Sequence, residues 1–536
     1  MDRRQFLLRS LGVLGAAAAG AVAPPWAGAA VAGRRHPKHH RAGPTTTTAP
    51  ADTTTAPGGL VAPWIQAENA KPGTGQWVLT RADGLVQGFA DASSVNRGER
   101  VAFKISSAAP TYRLEGYRMG WYQGLGARQV WTSGALPGFA QQPARVVPGV
   151  NMVDCSHWET TYELTLDDRF PPGVYLFRVV GDNGSDWFVP LTVRDDASRA
   201  RFLMVNAVTE WQAYNEYGNY SLYFGLGPRG RNFDSRARIV SFDRPYANGA
   251  GSGDFIGLEH PLVMRLEEQG FDVTYATSID LHANPDLLQR HTAFLSPGHD
   301  EYWSKPMRDG AEKARDAGVN LAFFGANAAY RQIRFEDSSV GANRHQICYK
   351  SAAEDPMTKV NPALATVNWR DAPLNRPEMQ MVGVGYDGNP VKADLVIADP
   401  GAWMFEGLGF HAGQVIGPDV IGPEFDRVFP ASSPRNIQVV AHSPVRVGRR
   451  ASFADTSYYS APSGAGVFAS ASIWWLTKLS PPRFFAASPY IPEIVEITLN
   501  VLRAFGTGPA GETHPSRANT PDAVGAGGPN ANESNA

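Results

Sequence analysis

His291–Tyr330 reads HTAFLSPGHDEYWSKPMRDGAEKARDAGVNLAFFGANAAY, and this stretch decides the fold. A short apolar run, Ala293-Phe294-Leu295, meets a break at Ser296-Pro297-Gly298, and then His299, Asp300, Glu301 and Tyr302 follow. Lys305 to Arg315 carries charges at helical spacing and stops at Gly318. A second apolar run, Val319 to Phe324, ends in Gly325-Ala326-Asn327. Strand, turn, helix and strand in that order predict a βαβ unit of a parallel sheet. Reactive groups in such sheets sit just beyond the carboxyl ends of the strands. His299, Glu301 and Asn327 fall at two such ends, so their side chains can converge.

Outward from this unit the alternation continues. Phe202-Leu203-Met204-Val205 reads as a fully apolar strand, Asp254 to Gln269 as a helix, and Phe271 to Tyr275 as another strand. Gly466 to Ala471 reads as a last strand and Pro492 to Phe505 as a closing helix. Together they predict a doubly wound α/β domain over residues 198–505. A less regular insertion lies around 345–440; in it Glu424, with Asp426-Arg427, reads as an ion-paired structural element. Upstream, residues 63–197 change to short alternating runs such as Val101–Ile105, Tyr112–Tyr117, Val174–Val179 and Trp187–Leu191. Gly, Pro and Asn separate them, the pattern of an antiparallel β-sandwich. The expected fold is therefore mixed β and α/β. Within the sandwich, Gly116-Tyr117-Arg118-Met119-Gly120-Trp121-Tyr122 is aromatic enough to contact a sugar.

The 536 residues suffice for two or three domains, and a net charge of -2 gives no electrostatic case for nucleic acid. Asp2-Arg3-Arg4-Gln5-Phe6-Leu7 precedes an Ala-rich apolar segment, so residues 1–30 read as a twin-arginine export signal. That places the mature chain outside the cytoplasm, extracellular or in the cell envelope, with no further segment able to span a bilayer. Residues 31–62 form a Thr/Pro tract behind a basic patch with His36, His39 and His40, read as a disordered linker. Residues 506–536 read as a disordered tail. The two cysteines, Cys155 and Cys348, lack metal-site spacing, which excludes a cysteine zinc site and leaves pairing open.

Several chemistries compete for the central cluster. Ser296 lacks the Gly-x-Ser-x-Gly elbow, and no cysteine stands in its place. Gly249-Ala250-Gly251-Ser252-Gly253 follows no clear strand and reads as a loop rather than a nucleotide site. A metal remains. His299 and Glu301 can face one cavity, and Tyr214, Tyr217, Tyr220 and Tyr223 follow the first strand at the same sheet edge. Phenolate and carboxylate oxygens are hard ligands that favour iron(III) over zinc. Each of these residues also has a structural reading: the tyrosines as core, Glu301 as a helix-dipole partner, and Asn327 as a turn former.

Residues 206–223 and 296–330, with Glu115–Arg128, resemble the N,N-dimethylformamidase large (beta) subunit family over roughly residues 65–505. The resemblance implies a β-sandwich joined to a glutamine amidotransferase-like α/β domain, and a mononuclear iron held by two tyrosines and one glutamate. The family's His-Pro-Glu-Tyr turn matches His299-Asp300-Glu301-Tyr302, making Glu301 the carboxylate ligand and His299 a catalytic neighbour. Its Gly-Gly-Asn-Gly matches Gly325-Ala326-Asn327-Ala328, making Asn327 a polar substrate-orienting residue. The tyrosine ligands carry over to Tyr214 and Tyr223, with Tyr220 a rival for the second. The implied function is a metal-dependent amidohydrolase of a small amide, a hydrolase of non-peptide carbon–nitrogen bonds. A small companion subunit and a homo-oligomer are partner expectations. The alternative is a secreted, non-catalytic polysaccharide- or cell-wall-binding protein of the same fold.

Overall fold

The computed structural model describes residues 59–228, 230–480 and 489–520. The export signal, nearly all of the Thr/Pro linker and residues 521–536 lie outside the described residues. Among the described residues no helix is long and apolar enough to cross a membrane.

The amino-terminal strands form two sheets. One has three antiparallel strands in the order Val86–Ala90, Arg100–Ser107, Tyr162–Thr165. The other is built on Asp186–Arg194, Gly173–Gly181, Thr111–Met119 and Ala127–Thr132, all antiparallel, with Ser94–Asn96 added in parallel at one edge. Val86, Val101, Phe103 and Ile105 from the first sheet share one apolar cluster with Leu114, Tyr175, Phe177, Val189 and Leu191 from the second. Tyr117, Met119 and Tyr122 are buried, so most of the aromatic stretch at 116–122 is core, with Trp121 half-buried.

The second unit opens with β1 (Phe202–Asn206) and α1 (Val208–Tyr214), then α2 (His260–Glu268) and β2 (Val273–Thr277). β3 (Ala293–His299), β4 (Tyr302–Ser304), α3 (Lys305–Asp316), β5 (Asn320–Ala326) and β6 (Arg331–Glu336) follow. β7 (Gln438–Val447), β8 (Arg450–Ser460), β9 (Gly466–Ala469) and α4 (Pro492–Phe505) complete it. The central sheet runs β2-β1-β3-β5-β9-β8-β7, parallel from β2 to β9 and antiparallel beyond. Successive strand residues face opposite sides. Phe202, Met204, Leu295, Ala322 and Phe324 therefore pack with α2 and α4, while Leu203, Val205, Phe294, Leu321 and Phe323 pack with α3. Both faces are covered, which is why these strands are apolar throughout.

Four readings of the sequence need correction. Ser296-Pro297-Gly298 does not end the strand: β3 runs on to His299 alongside β5. Its pairing with β1 stops at Leu295, so Pro297 costs no bond on that side. Between the turn and α3 lies β4, which pairs with β6 outside the central sheet. The long β7–β8 hairpin, closed by Gly448 and Arg449, was not anticipated. The stretch 506–520 is held in place rather than disordered: the Asn320 side chain accepts from Ala510 N at 3.0 Å and donates to Gly508 O at 2.7 Å. Asn519 then bonds both backbone groups of Val439.

Candidate active site

The register of the sheet builds the site. His299 stands opposite Ala326, so the turn His299–Glu301 and Asn327 leave adjacent strands side by side. Gly298 and Gly325 meet directly below them: a Cβ on Gly325 would lie 1.8 Å from Gly298 O. Gly298 has φ 64°, a conformation glycine adopts freely. Beyond β5 the chain turns through Asn327 (φ 60°) and Ala329 (φ 50°). It is pinned by Ala329 N donating to Asp300 O and Arg331 N donating to Glu301 O, each at 2.9 Å.

Three hydroxyl and carboxylate groups converge here. Tyr223 OH donates to Glu301 Oε2 at 2.8 Å, and Tyr214 OH lies 2.9 Å from Tyr223 OH and 3.3 Å from Glu301 Oε2. Tyr302 OH donates to Tyr223 OH at 2.7 Å, and Lys350 Nζ sits 3.2 Å from the centroid of the Tyr223 ring. The other oxygen of Glu301, Oε1, accepts from Arg331 Nε at 2.6 Å, leaving Oε2 to the tyrosines. Tyr220 is not part of this group: its hydroxyl donates to Leu226 O at 3.2 Å. Tyr217 packs edge-on against Trp158.

His299 is flanked by carboxylates. Its Nδ1 lies 2.9 Å from Glu210 Oε1, and its Nε2 lies 3.4 Å from Glu424 Oε2 and 3.8 Å from Glu301 Oε2, close enough for ion pairing but off the hydrogen-bond axis. Burial alone would push the imidazole toward neutrality, but Glu210 and Glu424 hold it well above its ordinary pKa. Burial raises the Glu210 carboxyl to about 7 against the pull of His299. Asn327 donates from its Nδ2 to Glu424 Oε2 at 2.9 Å and from its backbone N to Asp426 Oδ1 at 2.8 Å. Burial pushes Asp426 up to about 8.

The sequence-derived residues Tyr214, Tyr223, Glu301, His299 and Asn327 are thus brought together. Glu210 and Arg331 complete the group and were missed, and Glu424, read from the sequence as a structural ion-pair residue rather than a ligand, joins it. Glu424 faces His299 and Asn327, whereas Arg427 pairs with Asp387 at 3.2 Å, so the stretch Glu424–Arg427 is no self-contained ion pair. Ser296 is buried, and its hydroxyl donates to Asp300 Oδ2 at 2.8 Å. Cys155 and Cys348 are both free and buried, in separate clusters.

The donor set suits a hard cation. Two oxygens bound at about 2.0–2.1 Å and at right angles stand about 2.9 Å apart, close to the separations among Tyr214, Tyr223 and Glu301. Glu210, His299 and Glu301 also present ligand atoms within 4.8 Å of one another, as do Asp154, Asp243 and His345 elsewhere. In that second group Asp243 is already paired with Arg344 at 2.7 Å.

Residues 113–488 match the family described as N,N-dimethylformamidase beta subunit-like, C-terminal. The chain belongs to this family. The N,N-dimethylformamidase beta subunit of Paracoccus aminophilus is 23% identical over 423 residues, 66% of this chain and 54% of that one. Its counterpart from Alcaligenes sp is 24% identical over 424 residues, with the same coverage. The chain therefore spans about half the length of these curated relatives. A solved cycloisomaltooligosaccharide glucanotransferase from Paenibacillus sp. is similar at 9% identity and a TM-score of 0.15, over 50% of this chain and 34% of that one. At that level it carries no structural argument.

Proposed function

We propose that the chain is a metal-dependent amidohydrolase that cleaves the carbon–nitrogen bond of a small, non-peptide amide. The observation that carries this reading is the meeting of two phenol oxygens and one carboxylate oxygen at the carboxyl end of β3. Tyr214, Tyr223 and Glu301 would hold a single iron(III) ion, whose Lewis acidity would act on the amide carbonyl. Membership of the N,N-dimethylformamidase beta subunit-like family supports the same chemistry.

The chain's own residues divide the remaining work. Arg331 fixes Glu301 through Oε1, so that Oε2 alone faces the metal position. His299, protonated between Glu210 and Glu424, can pass a proton from Nε2 to the departing amine nitrogen. Glu424, facing the same space, can take a proton in the return half of the cycle. Asn327 spends one side-chain N–H on Glu424 and has a second to offer a developing oxyanion.

The two amino-terminal sheets, residues 63–197, are read here as a β-sandwich, and residues 198–505 as an amidotransferase-like catalytic domain. Export by the twin-arginine route, a small companion subunit and a homo-oligomer belong to the same proposal. The relatives' printed description as beta subunits supports the companion.

The test is the metal content and visible spectrum of the folded protein, beside Glu301→Ala and Tyr223→Phe. Stoichiometric iron with a tyrosinate-to-iron charge-transfer band, lost in both variants, is the expected result. Colourless, metal-free protein after loading with iron would overturn the reading.

A further inference from the structure

Glu210 is an unusual group to bury. It sits in the first turn of α1, wholly enclosed, and a carboxylate in that position costs several kcal/mol unless its oxygens are matched. Both of its oxygens face the site. Oε1 lies 2.9 Å from His299 Nδ1, and Oε2 accepts from Glu301 N at 2.9 Å. One turn later on the same helix face comes Tyr214, whose hydroxyl points to Glu301. α1 therefore approaches the turn His299–Glu301 with two side chains at once.

We propose that Glu210 is the positioning residue of this site, fixing the ring of His299 and the backbone of Glu301 with a single carboxylate. The inference deepens the amidohydrolase reading and rests on it for the role of His299. The partner held by one imidazole nitrogen decides what the other presents. With Nδ1 paired to the Glu210 carboxylate at 2.9 Å, Nε2 is left facing Glu424 and Glu301, where the reacting atoms would lie. The bond to Glu301 N holds the start of the carboxylate side chain while Arg331 holds its far end. A purely structural acid, placed to complement the helix dipole, would need neither contact.

Glu210→Gln separates these roles. Glutamine keeps the size of the side chain but removes the charge and has only one accepting oxygen, so it cannot accept from both Glu301 N and a protonated His299 Nδ1. The full-length variant is compared with the natural chain by thermal unfolding, iron stoichiometry, histidine ring ¹⁵N resonances of the metal-free protein, and kcat and KM for amine release from N-methylformamide and N,N-dimethylformamide. The expected result is a folded variant with the natural iron stoichiometry, shifted His299 ring resonances, and kcat reduced about 10–100-fold at a KM within about threefold. Unchanged resonances and unchanged kcat would overturn the proposal. If the variant fails to fold, the natural chain decides the matter: a protonated His299 Nδ1 whose proton exchanges slowly sustains the proposal, and an unprotonated or freely exchanging Nδ1 overturns it. If the natural chain releases amine from neither amide, the amidohydrolase reading is weakened, while the resonances still decide whether Glu210 positions His299.

Discussion

The carbonyl oxygen of Gly298 occupies the place where a Cβ on Gly325 would stand, only 1.8 Å away. Two neighbouring parallel strands are drawn together at that point, and the next residues on each, His299 and Ala326, stand opposite one another. The obstruction is backbone, so a side chain cannot be accommodated by a rotamer change. Gly325→Ala should therefore destabilise the chain by about 3 kcal/mol, the upper end of the overpacking range. It should also spread His299 from Asn327, lowering the proposed amide turnover in whatever fraction folds. Denaturant unfolding beside an activity assay checks both, and a variant as stable and active as the natural chain would contradict the packing argument.

Arg331 grips Glu301 at both ends, through the carboxylate and through the backbone. Arg331→Met keeps the apolar stem and removes the guanidinium. Under the proposed metal reading, iron affinity should fall about 10–100-fold, as for other residues that orient a metal ligand. Competition against a chelator of known affinity measures it.

Arg118, on the strand Thr111–Met119, joins the two units through a fully buried, two-bonded pair with Glu267 of α2, at 2.6 and 2.8 Å. Glu267 also accepts from Tyr275 OH and Asn69 Nδ2. Arg118→Met leaves an uncompensated buried carboxylate and should cost about 3–5 kcal/mol. The double variant Arg118→Met/Glu267→Gln should recover part of that loss in a thermal unfolding series.

Acid should weaken the fold partly through His260. Burial lowers its folded pKa to about 4, and Nε2 donates to Gly126 O at 2.9 Å. The folded chain keeps this ring neutral, whereas the unfolded chain protonates it near 6.5. Its contribution is therefore complete above pH 6.5 and is lost as the pH falls toward 4, about 3 kcal/mol in all. His260→Gln, which can still donate to Gly126 O, should flatten the dependence of Tm on pH between 6.5 and 4.

Much of the site was legible because its parts sit at strand ends marked by apolar runs. Val205 and Leu295 announce β1 and β3, and the groups that follow each strand meet. Tyr214 and Tyr223 could be told from Tyr220 only by structure, because the short loop 215–222 turns Tyr220 toward Leu226. Glu210 lay in plain view four residues before Tyr214, and helical spacing would have paired the two had α1 been recognised. Glu424 could not be found this way. It arrives from an irregular segment over a hundred residues distant, and no local periodicity links it to His299. Pro297 misled for a physical reason: proline usually ends a paired strand, but here one side of β3 is already free of its neighbour.

The edge of the central sheet is closed by the chain itself. Val439 on β7 donates to Asn519 Oδ1 at 2.7 Å and accepts from Asn519 Nδ2 at 3.0 Å, so a side-chain amide takes the place of a strand residue. Nearby, Val440 O accepts from the backbone of Ala398 and Asp399. An uncovered strand edge is a template on which a second molecule can add its own strand. The carboxyl-terminal segment therefore covers part of this edge, and a chain cut before Asn519 would expose it while the groups around His299 stayed in place.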